Sequence, residues 1–127
     1  MLSVLALLAA ASGPGGAFLD ASVEGVAVVQ PGRLAHDAAV TLYGQQTEFF
    51  RITNTRSRGN VLYLELEVIR TMSDETWASV PEILTTWNCG TDQRFIIGQG
   101  GRIEHVVVDP VFDRRQNVTV SSCASVR

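Results

Sequence analysis

The segment Glu48–Arg70 alternates apolar and polar residues through two runs that a polar turn separates. In the second run, one side carries Leu62, Leu64, Leu66 and Val68, and the other side carries Tyr63, Glu65, Glu67 and Ile69. A period of two over this length predicts a β-strand with one buried and one solvated face. The link Asn54–Asn60 consists of Asn, Thr, Arg, Ser and Gly, residue types that favour turns. The segment is therefore predicted to be a long antiparallel hairpin.

Further strand-like runs recur at short intervals, with Gly, Pro and Asn turns between them. These runs are Ser22–Val29, Ala38–Tyr43, Ile83–Asn88, Arg94–Ile97, Arg102–Val108 and Asn117–Ser122. The runs on either side of the glycine-rich residues 98–101 are predicted to form a second hairpin, and Asp74–Ala78 could hold one helical turn. Short strands at this spacing predict an all-β fold, an antiparallel β-sandwich of about seven strands.

The N-terminal run Leu2–Ala11 is apolar and is followed by small residues as far as Ala17. It is too short to span a bilayer core, which needs about 20 apolar residues in a helix. A short apolar run with small residues after it is typical of a secretory signal peptide. Residues 1–17 are therefore predicted to be a signal peptide, cleaved after Ala11 or Ala17, and residues 18–127 a single β-sandwich domain. Because no Lys or Arg precedes the run, a buried N-terminal element is the alternative.

Charge and cysteine content indicate a compartment and a limited set of partners. The formal net charge of −3 gives no basic footprint for nucleic acid, and no integral membrane segment is expected after signal removal. In a periplasmic or secreted protein, Cys89 and Cys123 are predicted to form one disulfide that ties the final strand to the sheet. Two buried free thiols are the alternative, and two cysteines alone do not make a metal site.

Residues with catalytic potential do not form a recognisable constellation. His36 and His105 are far apart, and His105 lies one position off the strand face that carries Val106 and Val108. No Gly-x-Ser-x-Gly elbow occurs, and the glycine-rich turn lacks the Lys-Ser/Thr ending of a phosphate loop. The carboxylates on the solvated face of the second run are interpreted as an ordinary wet surface. The chain is therefore predicted not to be an enzyme and to need no cofactor or metal.

Three features occur in an order that resembles a known family. They are Val26–Val29 running into Pro31 and Arg33; the pattern Arg51-Ile52-Thr53-Asn54-Thr55 before the strand Val61–Arg70; and the segment Val80-Pro81-Glu82-Ile83 before Phe95–Val108. Over roughly Val23–Val108 the chain resembles the N-terminal immunoglobulin-like domain of periplasmic pilus chaperones, those of the chaperone–usher pathway. The resemblance implies an immunoglobulin-like sandwich.

The resemblance also implies a mode of action. Pilus chaperones lend a strand with alternating apolar side chains to an incomplete pilin subunit, which is β-strand addition. Here that strand would be Asn117–Ser122, with Val118 and Val120 as the donated side chains, and Arg33 would hold the subunit's terminal carboxylate. The predicted function is a secreted or periplasmic immunoglobulin-like protein-binding domain that pairs strands with a pilin-like or other protein partner. The alternatives are a structural pilin-like or surface-fibre subunit, or a small β-sandwich with another role.

Overall fold

A computed structural model describes residues 32–124, which form a four-stranded sheet and four helices. In chain order the elements are α1 (Arg33–Leu42), β1 (Phe50–Arg58), β2 (Val61–Val68), α2 (Asp74–Ala78), α3 (Val80–Cys89), α4 (Arg94–Gly98), β3 (Arg102–Asp109) and β4 (Arg114–Val120). The predicted signal peptide and the predicted strand Ser22–Val29 lie outside the described residues.

The predicted hairpin of β1 and β2 is confirmed. The strands pair antiparallel, and the apolar side of β2 is buried as the alternation predicts. The turn is shorter than predicted, because β1 continues to Arg58 and only Gly59 and Asn60 separate the strands. Gly59 has a φ of 57°, a backbone conformation that glycine adopts at no steric cost. Gly32 packs against this turn, and a Cβ there would lie 2.6 Å from the Gly59 carbonyl oxygen.

The four strands follow one another across the sheet in the order β1-β2-β3-β4. β1 and β2 are antiparallel, β2 and β3 are parallel, and β3 and β4 are antiparallel. A parallel pair needs a long crossover connection, and α2, α3 and α4 supply it between β2 and β3. The second hairpin therefore joins β3 to β4, and the prediction that Arg94–Ile97 pairs with Arg102–Val108 is wrong.

The predicted seven-stranded sandwich is also wrong, although the prediction of a β-sheet framework is confirmed. The predicted strand Ala38–Tyr43 belongs to α1 and the residue that ends it, Ile83–Asn88 belongs to α3, and Arg94–Ile97 belongs to α4. Their Val, Ile, Thr and aromatic residues favour strands, but their burial follows the helical period. Val80, Leu84 and Asn88 recur every four residues on the buried side of α3. Pro81 lies in the first turn of that helix, where proline is well tolerated.

The core lies between one face of the sheet and the helices. It contains apolar residues from all four strands and from α1, α3 and α4, among them Leu62, Leu66, Leu84, Ile96 and Ile103. Tyr63, Glu65 and Glu67 alternate with the buried residues of β2 and therefore lie on the opposite face of the sheet. We call this opposite side, which no described element covers, the open face.

Candidate functional site

The two edges of the sheet differ in how they are protected. At the β1 edge, residues 44–46 return alongside the strand, where the Gly44 N–H donates to the Ile52 carbonyl oxygen at 3.0 Å and the Ile52 N–H donates to the Gln45 carbonyl oxygen at 2.8 Å. A register shift follows between Ile52 and Asn54. At the β4 edge, no other segment within residues 32–124 pairs with the outer side of the strand. Exposed edges are usually blocked in soluble proteins, and among the described residues β4 is unpaired over its whole length, whereas β1 is unpaired only beyond Ile52.

The backbone groups that point outwards from β4 follow from the ladder geometry. The Arg102 N–H donates to the Asn60 carbonyl oxygen on the β2 side, at 3.2 Å. Because backbone direction alternates along a strand, the even-numbered residues of β3 face β2 and the odd-numbered residues face β4. The β4 partners of the odd-numbered residues, which include Gln116 and Val118, therefore bond to β3 through their backbone groups. The outward-pointing backbone groups of β4 belong to Arg115, Asn117 and Thr119.

The beginning of β4 is held by Arg114. Its Nε donates to Asp109 Oδ2 and its Nη1 to Asp74 Oδ1, both at 2.9 Å, while its Nη2 donates to the Met72 carbonyl oxygen at 2.7 Å. The Asp109 side chain is fully buried. A planar guanidinium can satisfy several acceptors in fixed directions at once, so Arg114 ties β4 to the end of β3 and to the start of α2.

Aromatic rings cover the same guanidinium. The carbon Cζ of Arg114 lies 4.8 Å from the ring centre of Trp77 and 4.7 Å from that of Phe112. Such cation–π contacts gain strength as water is excluded. The next inward residue, Gln116, donates from Nε2 to the Trp77 carbonyl oxygen at 2.9 Å. The first half of β4 is therefore fixed from the helical side of the sheet.

The middle of β4 is bonded to a buried histidine. His105 Nδ1 lies 2.9 Å from the Val118 carbonyl oxygen, which can only accept, so Nδ1 carries the proton. His105 Nε2 then accepts from Asn88 Nδ2 at 3.0 Å, and the same amide nitrogen donates to the Leu84 carbonyl oxygen at 2.8 Å. Asn88 and His105 are both buried, and Asn88 Oδ1 has no hydrogen-bond partner among the described residues. This chain of bonds links α3 to β4 through β3.

The disulfide holds the chain just beyond the end of β4. Cys89, the last residue of α3, is bonded to Cys123, with their Cα atoms 5.7 Å apart. The predicted disulfide is thus present in the structure, but it ties the end of β4 to a helix rather than to another part of the sheet. β4 is anchored at its start by Arg114, in its middle by His105 and after its end by Cys123.

Burial lowers the pKa of His105 to about 4 from the ordinary value of 6.5, and the hydrogen bond to Val118 offsets only part of that shift. Because the folded protein binds this proton more weakly than the unfolded chain, the neutral ring contributes its full stability above about pH 6.5. That contribution is lost as the pH falls towards about 4. We expect acidification to cost about 3 kcal/mol through this group, at about 1.4 kcal/mol per pKa unit.

The measurement is urea unfolding of the wild type and of His105→Gln between about pH 7 and about pH 4. Glutamine does not titrate in this range, so the variant should lose about 3 kcal/mol less than the wild type on acidification. Equal losses in the two proteins would show that His105 is not the group responsible.

The open face concentrates positive charge. It carries Arg51, Arg56, Arg58, Arg102 and Arg115 together with Glu65, Glu67 and Glu104. This face is therefore net +2, whereas the remainder of residues 32–124 carries four Arg and eight Asp or Glu residues and is net −4. A shallow depression of about 300 Å³ crosses the middle of the open face, where the Arg56 guanidinium carbon lies 4.0 Å from the centre of the Tyr63 ring. The open face and the β4 edge meet at the outward side chains of β4.

The structure places the residues predicted as a partner-binding site in two separate regions. Val118 and Val120 point into the core and are only 6% and 2% exposed, so their side chains are not available to fill pockets in a partner. Arg33 lies at the start of α1, exposed, with its Nε 3.3 Å from Asp37 Oδ2. Of the predicted donor strand, only the outer backbone edge is available for contact with a partner.

Sequence reasoning missed the anchors of β4. Arg114 and Asp109 flank the turn between β3 and β4, and an acidic–basic pair at the two ends of a tight connection was the available signal. The buried face of β3 carries Ile103, His105 and Val107, and Val106 and Val108 lie on the other face. Because His105 alternates in step with the apolar residues Ile103 and Val107, this spacing was the available signal for a buried histidine.

No group of three or more His, Cys, Asp or Glu side chains within residues 32–124 is arranged to hold a metal ion. Among the same residues, no helix is both long enough and apolar enough to cross a membrane.

Neither a protein-family model nor a curated protein sequence matches this chain. Among solved structures, the chain is similar to a crystal structure from Pseudomonas aeruginosa described as a "putative secreted protein", at 14% identity and with a TM-score of 0.51. The match covers 71% of this chain and 84% of that chain. At this identity the similarity shows a shared fold. The resemblance to pilus chaperones stays a prediction.

Proposed function

We propose that this chain is a secreted or periplasmic protein-binding domain without catalytic activity, which pairs the outer edge of β4 with an extended segment of a protein partner. The observation that carries the proposal is the contrast between the sheet edges: residues 44–46 block the first part of the β1 edge, and the β4 edge is uncovered over its whole length among the described residues. Strand addition uses main-chain hydrogen bonds for affinity, and the outward groups of Arg115, Asn117 and Thr119 can supply them.

The anchoring of β4 supports this role. Binding costs free energy when loose segments must be ordered. Here Arg114, His105 and the disulfide hold the strand in its extended conformation before any partner arrives. A pre-ordered edge is therefore a better template for strand addition than a mobile terminal segment would be.

The location in the proposal rests on three observations. Disulfides persist in oxidising compartments such as the periplasm and the extracellular space, and Cys89 and Cys123 form one. The apolar run Leu2–Ala11 has the character of a secretory signal. The solved structure of similar fold is also described as a "putative secreted protein".

The proposed mode differs from strand donation by a pilus chaperone. A donated strand places its alternating apolar side chains in the partner, but Val118 and Val120 complete the core of this chain. The partner therefore gains a backbone template from β4 and supplies the side chains of the new strand itself. A pilin-like partner would have to offer an extended segment of its own to this edge, because the apolar side chains of β4 are buried and cannot fill a groove in the partner.

We expect Asn117→Pro to abolish partner binding and leave the fold intact. Proline removes the outward N–H of Asn117, and edge strands accept proline where that group faces solvent. Asn117→Ala is the matched control, because it changes the same exposed side chain and keeps the N–H. The secreted form of each protein would be used to capture partners from the native extracellular or periplasmic fraction, with a sizing column run beside it.

Support requires one partner that the wild type and Asn117→Ala retain and that Asn117→Pro loses, with unchanged circular dichroism. Retention of the partner by Asn117→Pro would place binding elsewhere on the molecule. Assembly of the wild type with itself, lost in Asn117→Pro, would contradict a separate partner and identify a structural subunit that pairs with its own copies.

A further inference from the structure

We propose that the strand which pairs with β4 alternates acidic and apolar side chains, with the acidic ones on the side of the open face. This inference rests on the proposed function and identifies the chemistry of its partner. It follows from which side chains an added strand would meet at the β4 edge.

An added strand extends the sheet by one position. Side chains directly opposite each other on neighbouring strands have Cβ atoms about 4.5–5.5 Å apart and interact. On the open face, the neighbours of the new strand are Arg115, Asn117 and Thr119, which are all exposed. The other side of the new strand would continue the face that carries Gln116, Val118 and Val120.

Arg115 supplies the positive charge at this edge. Its neighbour Arg114 is already bonded to two carboxylates and a carbonyl oxygen. Arg115 forms no ion pair among the described residues. Its cross-strand partner on β3 is Val108, and β4 itself contains no acidic residue. An acidic side chain opposite Arg115 on the added strand would therefore pair with an arginine that forms no ion pair among the described residues.

The charges nearest to the added strand favour the same partner. On the open face, β3 and β4 carry Arg102, Arg115 and Glu104, which is net +1. Screening limits their attraction for an acidic segment to about one Debye length, roughly 8 Å at physiological salt, so the arginines of β1, four strand spacings away, contribute little. The same face would repel a basic segment, so the arrangement contributes selectivity as well as affinity.

The helical side favours apolar side chains in the partner. Val118 and Val120 occupy the second half of β4 and are almost fully buried. Side chains of the added strand next to them would extend the core at its margin, where each gains free energy by leaving water. The expected partner segment is thus amphipathic, with a period of two.

The test uses two labelled synthetic peptides of about eight residues, a typical strand length, in which Val alternates with Glu or with Lys. Binding to the full secreted chain would be followed by fluorescence anisotropy at low and at physiological salt, below the concentration at which either peptide associates with itself. The variants are Arg115→Glu and, as the matched control, Arg94→Glu. Both change the net charge equally, but Arg94 is exposed on α4, away from the sheet edge.

The wild type should bind the Glu peptide about three- to tenfold more tightly than the Lys peptide, because Glu opposite Arg115 replaces a repulsive pair by an attractive one and each effect is worth up to about fivefold. Arg115→Glu should reverse that preference, Arg94→Glu should keep it, and added salt should weaken it. Equal binding of the two peptides, or a preference that Arg115→Glu leaves unchanged, would overturn the acidic assignment while strand pairing stands. Failure of the wild type to bind either peptide would contradict strand pairing itself, and the inference with it.

Discussion

Arg114→Ala is expected to lower the free energy of unfolding by about 3–5 kcal/mol, the cost of removing one partner from a buried ion pair. The Asp109 carboxylate is fully buried, and the Arg114 guanidinium is only 18% exposed. Truncation would leave that carboxylate without its cation in a site closed to water. It would also remove the contacts with the Trp77 and Phe112 rings. Urea unfolding followed by circular dichroism gives the free energy directly.

Arg115→Ala is the matched control for this measurement. It removes the neighbouring arginine, which is exposed and forms no ion pair among the described residues, so it should change stability by less than about 0.5 kcal/mol. The double variant Asp109→Leu/Arg114→Met should be more stable than Arg114→Ala, because no unpaired charge stays buried. Equal effects of Arg114→Ala and Arg115→Ala would show that the ion pair does not hold β4.

Replacing both cysteines, Cys89→Ser/Cys123→Ser, is expected to cost about 4 kcal/mol. The bridge closes a loop with a sequence separation of 34 residues, and the chain-entropy relation gives about 4 kcal/mol for a loop of that size. For a domain of this length the melting temperature should fall by at least about 15 °C. Differential scanning calorimetry of the oxidised wild type and of the double serine variant would measure this fall in melting temperature.

The reduced wild type serves as the control for this second prediction. It should resemble the double serine variant in melting temperature, since both lack the bridge. Loss of the bridge should also increase the rate of amide hydrogen exchange more in β4, which ends near Cys123, than in β1. A change of less than about 1 kcal/mol would show that the unfolded chain is not restrained by this loop.

The sheet could be predicted from the sequence where residues alternate strictly. Leu62 to Val68 alternate over a full strand with one wet face, and that pattern has a single structural solution. The helices could not be distinguished from strands by composition. Ile83–Asn88 is rich in β-branched and aromatic residues, and the burial of Leu84 and Asn88 at helical spacing appears only once α3 packs on the sheet. The parallel pairing of β2 and β3 depends on those helices and was missed with them.

The candidate site was predictable in part. The position of the final strand and the pairing of Cys89 with Cys123 were accessible from alternation and from the cysteine count. The side of the sheet to which Val118 points could not be predicted, because alternating polarity does not distinguish a strand that completes the core of its own domain from one that completes the core of a partner. Arg114 was equally hidden, since its three acceptors come from residues up to 42 positions away in the chain.

The most direct test of strand pairing at β4 is residue-resolved amide hydrogen exchange by NMR, with and without the captured partner. In the free protein, the amides of Arg115, Asn117 and Thr119 should exchange rapidly, while those of Gln116 and Val118, bonded to β3, should be protected. The partner should slow exchange at the three outward amides and leave the β1 edge unchanged. Outward amides that are already protected in the free protein, or that stay unprotected when the partner is bound, would contradict the account.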